Sequence, residues 1–232
     1  IVDRWRSGND VRLADKFDAF VVLTKEDSGY WNTNNIKYIP NARTFENVTP
    51  APLDNKKVIT VGRYSYQKGY DLLIKVWDEV HKHCPDWALD IVGDGEDREK
   101  LQKMIDDLNL AGSVCLKHST PQIAKEYQNA SIVALSSRYE GLPMILLEAQ
   151  TFGLPIVSFK CKCGPKDVIT DGVDGYLVEE GDIEGMADRI ITLIKDVEMR
   201  KAMGRAARES SERYSEEMIM RQWVDLFKEL CE

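Results

Sequence analysis

From residue 57 onward, short apolar runs alternate with stretches of helical periodicity, and this alternation constrains the fold more than any other feature. A run such as 132–135 (Ile-Val-Ala-Leu) is apolar throughout, which is typical of a strand buried on both faces of a sheet. Strands and helices that alternate at this spacing form βαβ units with right-handed crossovers. The sequence therefore predicts an α/β fold with a doubly wound parallel sheet and extra C-terminal helices.

The individual elements follow from the same patterns. The predicted strands of the sheet are 57–61, 88–92, 114–116, 132–135, 156–159 and 176–178. The predicted helices are 69–83, 97–110, 121–128, one from 143, a short one at 167–169, 183–194, 198–213 and 216–230.

The first fifty residues follow a different pattern. Residues 1–16 are polar and are expected to be helical or partly loose, and 19–23 predicts a buried strand. A short helix is predicted over 24–31 and an extended piece over 34–40. Residues 41–55 are rich in Pro, Asn and Thr without periodicity, which indicates a linker.

Composition excludes several classes of protein. The net charge of −8 argues against general nucleic-acid binding, which needs an excess of Lys and Arg. No apolar run approaches the roughly 20 residues that a membrane-spanning helix requires. Five unevenly spaced cysteines indicate reduced thiols, and Cys161 and Cys163 have no partner pair at zinc-like spacing. Because the chain starts without Met or a signal peptide, Ile1 is expected to be an expression or processing boundary.

The segment 136–149 contains the clearest candidate site. A polar loop joins a predicted strand to a helix whose first residue is expected to be Pro143, so free backbone amides and the positive end of the helix dipole face the loop. Glu140 and Glu148 bracket this helix start. Glu148 lies in an apolar run, where a carboxylate needs a hydrogen-bond partner such as a ligand hydroxyl. The alternative is a helix start that carries one stray exposed Glu.

Polar residues also follow the other predicted strands, where ligands bind in doubly wound sheets. They are Gly62, Arg63, Lys68 and Gly69 after the first strand, 93–95 after the second, 118–120 after the third, and 160–165 after the fifth. Glycines, hydroxyls and cations at one edge suit a phosphate ester, which Arg63 can bind in bidentate fashion. Each piece alone has a plainer interpretation: a turn, a solvated Arg, or, for His118, a backbone hydrogen bond.

Known phosphate motifs are missing from the sequence. It contains neither G-x-x-x-x-G-K-[ST] nor G-x-G-x-x-G, since no third glycine follows Gly93 and Gly95. A pyrophosphate site with two carboxylates and no Walker lysine favours a nucleotide sugar, with one Glu on ribose hydroxyls and the other on sugar hydroxyls.

Four segments in order resemble the C-terminal donor domain of the retaining GT-B glycosyltransferases of family four. They are VGRYSYQKG (61–69), IVGDGEDREKL (91–101), SSRYEGLPMILLEAQTFGLPIVS (136–158) and GPKDVITDGVDGYLV (164–178). The hallmark E-x7-E is present as Glu140 and Glu148. The resemblance implies the Rossmann-like half of a GT-B fold over 51–232, with 1–50 as a remnant of the N-terminal acceptor domain plus the linker.

The resemblance also implies roles for single residues. Arg63 and Lys68 would hold the diphosphate, Glu140 the donor sugar and Glu148 the ribose, so that Glu140, Arg63 and Lys68 are the implied catalytic residues. The remaining implied donor-binding positions are Gly62, Gly93, His118, Ile123, Gly141, Leu142, Pro143 and Leu147. Asp167 stands where the family usually has Glu.

The expected activity is transfer of a hexose from a nucleotide-diphosphate sugar, most simply UDP-linked, to a glycan or lipid-linked acceptor in polysaccharide, lipopolysaccharide or capsule biosynthesis. No Asp-x-Asp motif is visible, so neither a metal nor another cofactor is expected. The alternatives are a phosphorylase or sugar-nucleotide epimerase of the same fold, or a non-catalytic nucleotide-binding or interaction module.

Most of the N-terminal domain of this family, which the resemblance makes the acceptor domain, has no counterpart in the sequence. This chain alone is therefore expected to be inactive. The last helix carries two apolar stripes, which predicts exposed apolar surface and self-association. The expected location is the cytoplasm, with the inner face of the membrane as a further location of the full-length protein.

Overall fold

A computed structural model describes residues 13–232, so the prediction for residues 1–16 falls largely outside the described residues. Residues 13–232 contain two parallel sheets. The strands are β1 (Phe20–Val22), β2 (Ile36–Tyr38), β3 (Lys57–Val61), β4 (Ala88–Val92), β5 (Val114–Lys117), β6 (Ile132–Leu135), β7 (Ile156–Phe159) and β8 (Gly175–Val178). β1 pairs with β2, and the other six strands form one parallel sheet.

Helices connect these strands and continue beyond them. They are α1 (Lys25–Ser28), α2 (Tyr70–His83), α3 (Arg98–Asp107), α4 (Ile123–Gln128), α5 (Met144–Thr151), α6 (Pro165–Val168), α7 (Ile183–Lys195), α8 (Val197–Ser211) and α9 (Glu216–Cys231). The predicted α/β fold with a doubly wound parallel sheet and C-terminal helices is confirmed. Residues 41–55 contain no helix or strand.

The strand order of the large sheet fixes where a ligand can bind. The order is β5-β4-β3-β6-β7-β8, so the chain runs outward in one direction from β3 and in the other from β6. In such a sheet the crevice lies outside the carboxyl ends of the strands at the point where the order reverses. Here that point lies between β3 and β6, next to the loops 62–69 and 136–143.

Hydrophobic cores cover both faces of the large sheet. Alternate strand residues point to opposite faces, and Val58 accordingly packs in one core while Ile59 packs in the other. Trp77 of α2 is fully buried in the first core, and Leu146 of α5 is fully buried in the second. Burial on two faces explains why these strands are almost continuously apolar.

Two local predictions need correction. Helix α5 begins at Met144, and Pro143 precedes it as the cap residue with extended geometry (φ −72°, ψ 104°), because the fixed φ of proline is compatible with that conformation as well. β1 was predicted to be buried on both faces, but within it only Val22 is buried. β1 lies in the two-stranded sheet and not in the large one.

A close backbone approach joins the β3 and β6 loops. Gly69 has φ +63°, and a Cβ atom placed on it would lie 2.2 Å from the carbonyl oxygen of Ser136. Only glycine fits this left-handed, crowded position without strain. The start of α2 can therefore lie directly against the end of β6.

Helix α9 has one buried and one exposed apolar side. Ile219 and Leu226 are buried in a small cluster with Ile39, whereas Phe227 is 58% exposed. The other exposed apolar residues of this helix are Met218, Met220, Val224 and Leu230. The prediction of exposed apolar surface is confirmed, and self-association stays a prediction. Within residues 13–232, no helix combines the length and the apolar composition that crossing a bilayer would require.

Candidate functional site

The loops that follow β3 and β6 are tied together by hydrogen bonds. Ser136 Oγ donates to the carbonyl oxygen of Lys68 (2.9 Å). The backbone N–H of Arg138 donates to the carbonyl oxygen of Gln67 (2.8 Å). Gln67 Nε2 in turn donates to the carbonyl oxygen of Tyr139 (3.0 Å). These bonds hold Lys68 and Glu140 at one place, the crevice at which the strand order reverses.

Lys68 and Glu140 form a largely buried ion pair. Lys68 Nζ lies 2.7 Å from Glu140 Oε1, and the side chains are 18% and 6% exposed. Ser137 Oγ donates to the same oxygen at 2.7 Å. Two donors on one oxygen compensate for much of the cost of burying the carboxylate. Among the contacts of the described residues, both bonds to this carboxylate use Oε1.

The loop after β7 closes the site from the other side. The backbone N–H of Glu140 donates to the carbonyl oxygen of Lys162 at 3.0 Å. A Cβ atom on Gly164 (φ +98°) would lie 2.3 Å from Pro143 Cδ, so this loop packs directly against the residues that precede α5. The segment 140–143 is thus fixed between the loops that follow β3 and β7.

Glu148 is partly buried on α5 and hydrogen-bonded at both oxygens. Tyr127 Oη donates to Oε2 at 2.6 Å, and Thr44 Oγ1 donates to Oε1 at 3.1 Å. Burial raises the pKa of Glu148, and these two hydrogen bonds oppose that rise. The alternative of a stray exposed Glu is therefore wrong, because this carboxylate has partners from α4 and from the linker.

An open cleft of about 440 Å³ lies beside this carboxylate at the carboxyl ends of β3 and β4. A Cβ atom on Gly93 would lie 2.0 Å from the carbonyl oxygen of Gly62, so the two loops touch through their backbones. The residues that line the cleft are Val61, Gly62, Arg63, Val92, Gly93, Asp94, Ser119, Thr120, Ile123 and Glu148. Five predicted positions therefore meet there: Gly62, Arg63, Gly93, Ile123 and Glu148.

Lys68 borders this cleft through Gly62. A Cβ atom on Gly62 would lie 3.0 Å from Lys68 Cε and 2.7 Å from Tyr70 Oη. A side chain at position 62 would therefore clash with the Tyr70 hydroxyl and crowd the lysine. The missing side chain lets Gly62 line the cleft and contact the aliphatic part of Lys68 at the same time.

Three predicted positions lie differently from what their implied roles suggest. The Arg63 side chain is 73% exposed and pairs with Glu96 at 3.1 Å, so it lies at the rim of the cleft. His118 is exposed, and its Nδ1 lies 2.5 Å from an oxygen of Asp94. Leu147 is fully buried in the second core, because its side of α5 faces the sheet, and it offers no surface to a ligand.

The other predicted positions lie around the start of α5. Gly141 is exposed, whereas Leu142 and Pro143 are buried. Gly141 has no heavy atom within 4 Å of the place where its Cβ would be, so its backbone is accessible. The residues just before α5 therefore expose the backbone of Gly141 and little side-chain surface.

Sequence reasoning missed Thr44 and Tyr127, and it placed Asp94 at the ligand edge of the sheet without giving it a role. Asp94 accepts hydrogen bonds from the backbone N–H and the hydroxyl of Ser119, and these bonds hold the pKa of its carboxyl well below the usual range. The sequence did carry a signal for that contact, since the Gly-Asp-Gly turn (93–95) and the Ser-Thr pair (119–120) follow two predicted strands whose ends meet at one edge of the sheet. Thr44 lies 104 positions from Glu148, and no local pattern indicates such a contact.

Metal-ligating residues are not gathered in the part of the chain that the structure describes. From residue 13 to the end, no three His, Cys, Asp or Glu side chains lie together as a metal ion would require. Cys84, Cys115, Cys161 and Cys231 are free thiols. The expectation of a metal-independent site stays a prediction.

Comparison with known proteins places the chain among glycosyltransferases. The sequence profile of the family described as glycosyl transferases group 1 matches residues 41–210. An uncharacterized glycosyltransferase of Haemophilus influenzae is 37% identical over 211 residues, which are 89% of this chain and 60% of that protein. The poly(ribitol-phosphate) alpha-N-acetylglucosaminyltransferase of Staphylococcus aureus is 34% identical over 223 residues, which are 94% of this chain and 45% of that protein. The chain therefore spans about half the length of these relatives.

Solved structures share the fold. A variant of TarM from S. aureus, solved in complex with fondaparinux, alpha-GlcNAc-glycerol and UDP, superposes with a TM-score of 0.84 at 33% identity. That match covers 94% of this chain and 45% of the other. HepE from Anabaena, solved in complex with UDP and glucose, has a TM-score of 0.86 at 21% identity and covers 98% and 69% of the two chains. At that lower identity the likeness concerns the fold alone.

Proposed function

The chain belongs to the group 1 glycosyl transferase family, and from this we infer that it is the donor-binding portion of a retaining glycosyltransferase. In this proposal residues 51–232 bind a nucleotide-diphosphate sugar, and 1–50 comprise the linker and a remnant of the acceptor domain. The observation that carries the proposal is the pairing of Lys68 with Glu140 beside a cleft that ends at Glu148.

The nucleotide would occupy the cleft. Ile123 and the backbone at Gly93 would contact the base, while Glu148 would accept hydrogen bonds from the ribose hydroxyls. Glu148 Oε1 now accepts its bond from Thr44 on the linker, whereas Oε2 accepts from the buried Tyr127. A ribose hydroxyl would therefore replace Thr44 at Oε1 and leave the Tyr127 bond unchanged.

The diphosphate would lie between Gly62 and the start of α5. Backbone amides at a helix start, together with the positive end of its dipole, stabilise an anion, and the accessible backbone of Gly141 suits this role. Lys68 supplies a nearby positive charge. Arg63 would leave Glu96 to reach the phosphate oxygens, which is feasible because an ion pair so exposed to solvent contributes little stability.

Catalysis would be mainly electrostatic. When the bond to the sugar breaks, negative charge develops on the departing diphosphate, and fixed cations stabilise that charge more in the transition state than in the ground state. Lys68 and Arg63 would have this role. Glu140 would bind the hydroxyls of the donor sugar near the reacting carbon, and it is already held by Ser137 and Lys68.

We propose a UDP-linked hexose donor because the TarM structure, at 33% identity to this chain, contains UDP. We propose a glycan or lipid-linked acceptor because relatives include an amylovoran biosynthesis glycosyltransferase of Erwinia amylovora and the poly(ribitol-phosphate) enzyme. The acceptor pocket would belong to the half of those longer proteins that this chain does not span. On this account the chain alone binds donor but transfers no sugar.

Isothermal titration of the 232-residue chain with UDP and GDP tests the proposal. We expect saturable binding of UDP, and we expect Arg63→Ala to weaken it about tenfold, since hydrogen bonds to a charged group are lost. Arg205→Ala is the matched control, because this exposed arginine lines a different groove, beside Pro50 and Gly153. Absence of nucleotide binding, or equal binding by the Arg63 and Arg205 variants, would contradict the proposed donor site.

A further inference from the structure

One peptide group connects the α1 helix to the proposed sugar-binding carboxylate. The carbonyl oxygen of Lys162 accepts the backbone N–H of Glu140 at 3.0 Å. The N–H of the same peptide group, which belongs to Cys163, donates to Glu26 Oε2 at 3.1 Å. Because the peptide group is planar, its C=O and N–H rotate together, so Glu26 at one end controls the orientation of the acceptor at the other.

The backbone around this peptide group is strained. Cys163 has φ +61°, a left-handed conformation that a non-glycine residue adopts only when its surroundings hold it there. The next residue, Gly164, also has a positive φ and is pressed against Pro143. The hydrogen bond that the Cys163 N–H donates to the Glu26 carboxylate is one of the contacts that keep this turn in place. The turn, through the Lys162 carbonyl oxygen, holds the segment that carries Glu140.

Glu26 is itself firmly placed. Its Oε1 accepts from Tyr30 Oη at 3.1 Å and lies 3.9 Å from Lys166 Nζ. Asp167 on α6 accepts the backbone N–H groups of Lys25 (2.9 Å) and Glu26 (3.4 Å). Between α1 and the segment 163–167, a carboxylate on each side thus accepts from backbone amides on the other side.

We propose that Glu26 is a positioning residue for Glu140 and acts through the Lys162–Cys163 peptide group. This inference rests on the proposed function, in which Glu140 contacts the donor sugar. Without the Glu26 carboxylate, the peptide group loses one of the contacts that orient it, and the acceptor of the Glu140 amide is held less firmly. The sugar half of the donor site then loosens, while the nucleotide half, held by Glu148 and the β3 and β4 loops, stays intact.

The structural link is tested by amide hydrogen exchange at Glu140, followed by NMR in the 232-residue chain. We expect exchange at this amide to be about tenfold faster in Glu26→Ala, as for loss of a hydrogen bond to a charged group. Glu26→Gln keeps a side-chain oxygen that can accept from Cys163 and is expected to restore protection. Lys166→Ala is the control, because it removes the ion pair to Oε1 but leaves the bond to the peptide group.

The functional link is tested by affinity ratios. Affinities for UDP, UDP-glucose and UDP-N-acetylglucosamine give the contribution of the sugar as a ratio to UDP. We expect Glu26→Ala to lower this ratio about threefold to tenfold with UDP affinity unchanged, and Glu140→Gln to lower it at least as much.

The outcomes separate two failures. Unchanged exchange at the Glu140 amide in Glu26→Ala, or equally faster exchange throughout β6 and α5, would overturn the positioning role. The same holds if Glu140→Gln lowers the ratio and Glu26→Ala does not. If Glu140→Gln leaves the ratio unchanged, the proposed role of Glu140 fails, and this inference fails with it.

Discussion

The phenol of Tyr127 donates a 2.6 Å hydrogen bond to Glu148 Oε2, and Tyr127 is fully buried. Burial raises the pKa of the phenol well above its usual value, so Tyr127 remains the donor in this pair. Its ring stacks on Phe152, with 5.3 Å between the ring centroids. Tyr127 therefore fixes Oε2 of Glu148, while Oε1 accepts from Thr44 of the linker.

Replacing Tyr127 by Phe keeps the ring and removes this hydrogen bond. Because that bond lowers the raised pKa of Glu148, its loss raises the pKa further. A ribose-binding carboxylate must be ionised, so UDP affinity falls as the pH drops through this pKa. We therefore expect the loss of affinity to begin at higher pH in Tyr127→Phe than in the wild type, in titrations from about pH 4 to about pH 8. Identical pH profiles would contradict this role, and Tyr176→Phe, a change distant from the cleft, serves as control.

The Lys68–Glu140 pair predicts strong coupling between two variants. Lys68→Met leaves the buried Glu140 carboxylate with Ser137 as a partner and is expected to cost about 3 kcal/mol, the lower end for a broken buried pair, since Lys68 is partly exposed. Glu140→Gln costs less, because the lysine can rehydrate. In urea unfolding, the double variant is expected to be less destabilised than the sum of the single variants. Strict additivity would show that the pair contributes no coupling energy.

Gly69 sets the approach of the β3 and β6 loops. Gly69→Ala places a methyl group 2.2 Å from the Ser136 carbonyl oxygen at φ +63°, so we expect a loss of about 3 kcal/mol in unfolding free energy. Gly112→Ala is the matched control, because no heavy atom lies within 4 Å of its Cβ position. Thermal unfolding of both variants measures the difference. Equal melting temperatures would contradict the close approach.

The cysteines differ in predicted reactivity. Burial raises the pKa of Cys161 to about 12, and a thiol that stays protonated is a poor nucleophile. Cys115 and Cys231 are exposed. Treatment of the native chain with a maleimide should therefore modify Cys115 and Cys231, with the buried cysteines reacting only after denaturation, as followed by mass spectrometry. Rapid modification of Cys161 in the native chain would show that the loop after β7 opens.

The fold was predictable because the sheet is buried on both faces. β3, β4, β6 and β7 have the predicted boundaries, since a short apolar run between turns leaves few alternatives. The start of α5 was predicted one residue too early, because proline suits both the cap and the first helical residue. The position of the site also followed from topology, since the ends of parallel strands meet at one edge.

The contacts inside the site were not predictable in the same way. A ligand hydroxyl was the expected hydrogen-bond partner of Glu148. In the structure its carboxylate accepts from Tyr127 and Thr44, which are far away in sequence. Arg63 carries a long flexible side chain, and its pairing with Glu96 depends on a rotamer and not on a pattern. The bond between Glu26 and Cys163 spans 137 positions. Such contacts depend on tertiary packing, which local periodicity does not encode.

The assignment of the donor site is tested by the structure of crystals of this chain soaked with UDP. We expect uridine in the cleft between Gly93 and Ile123, ribose hydroxyls on Glu148 in place of Thr44, and the diphosphate near Gly62 and the start of α5. Arg63 should have left Glu96 and turned toward the phosphates. UDP bound elsewhere, for example in the groove beside Pro50 and Arg205, with the Thr44–Glu148 bond intact, would contradict the assignment of this cleft as the donor site.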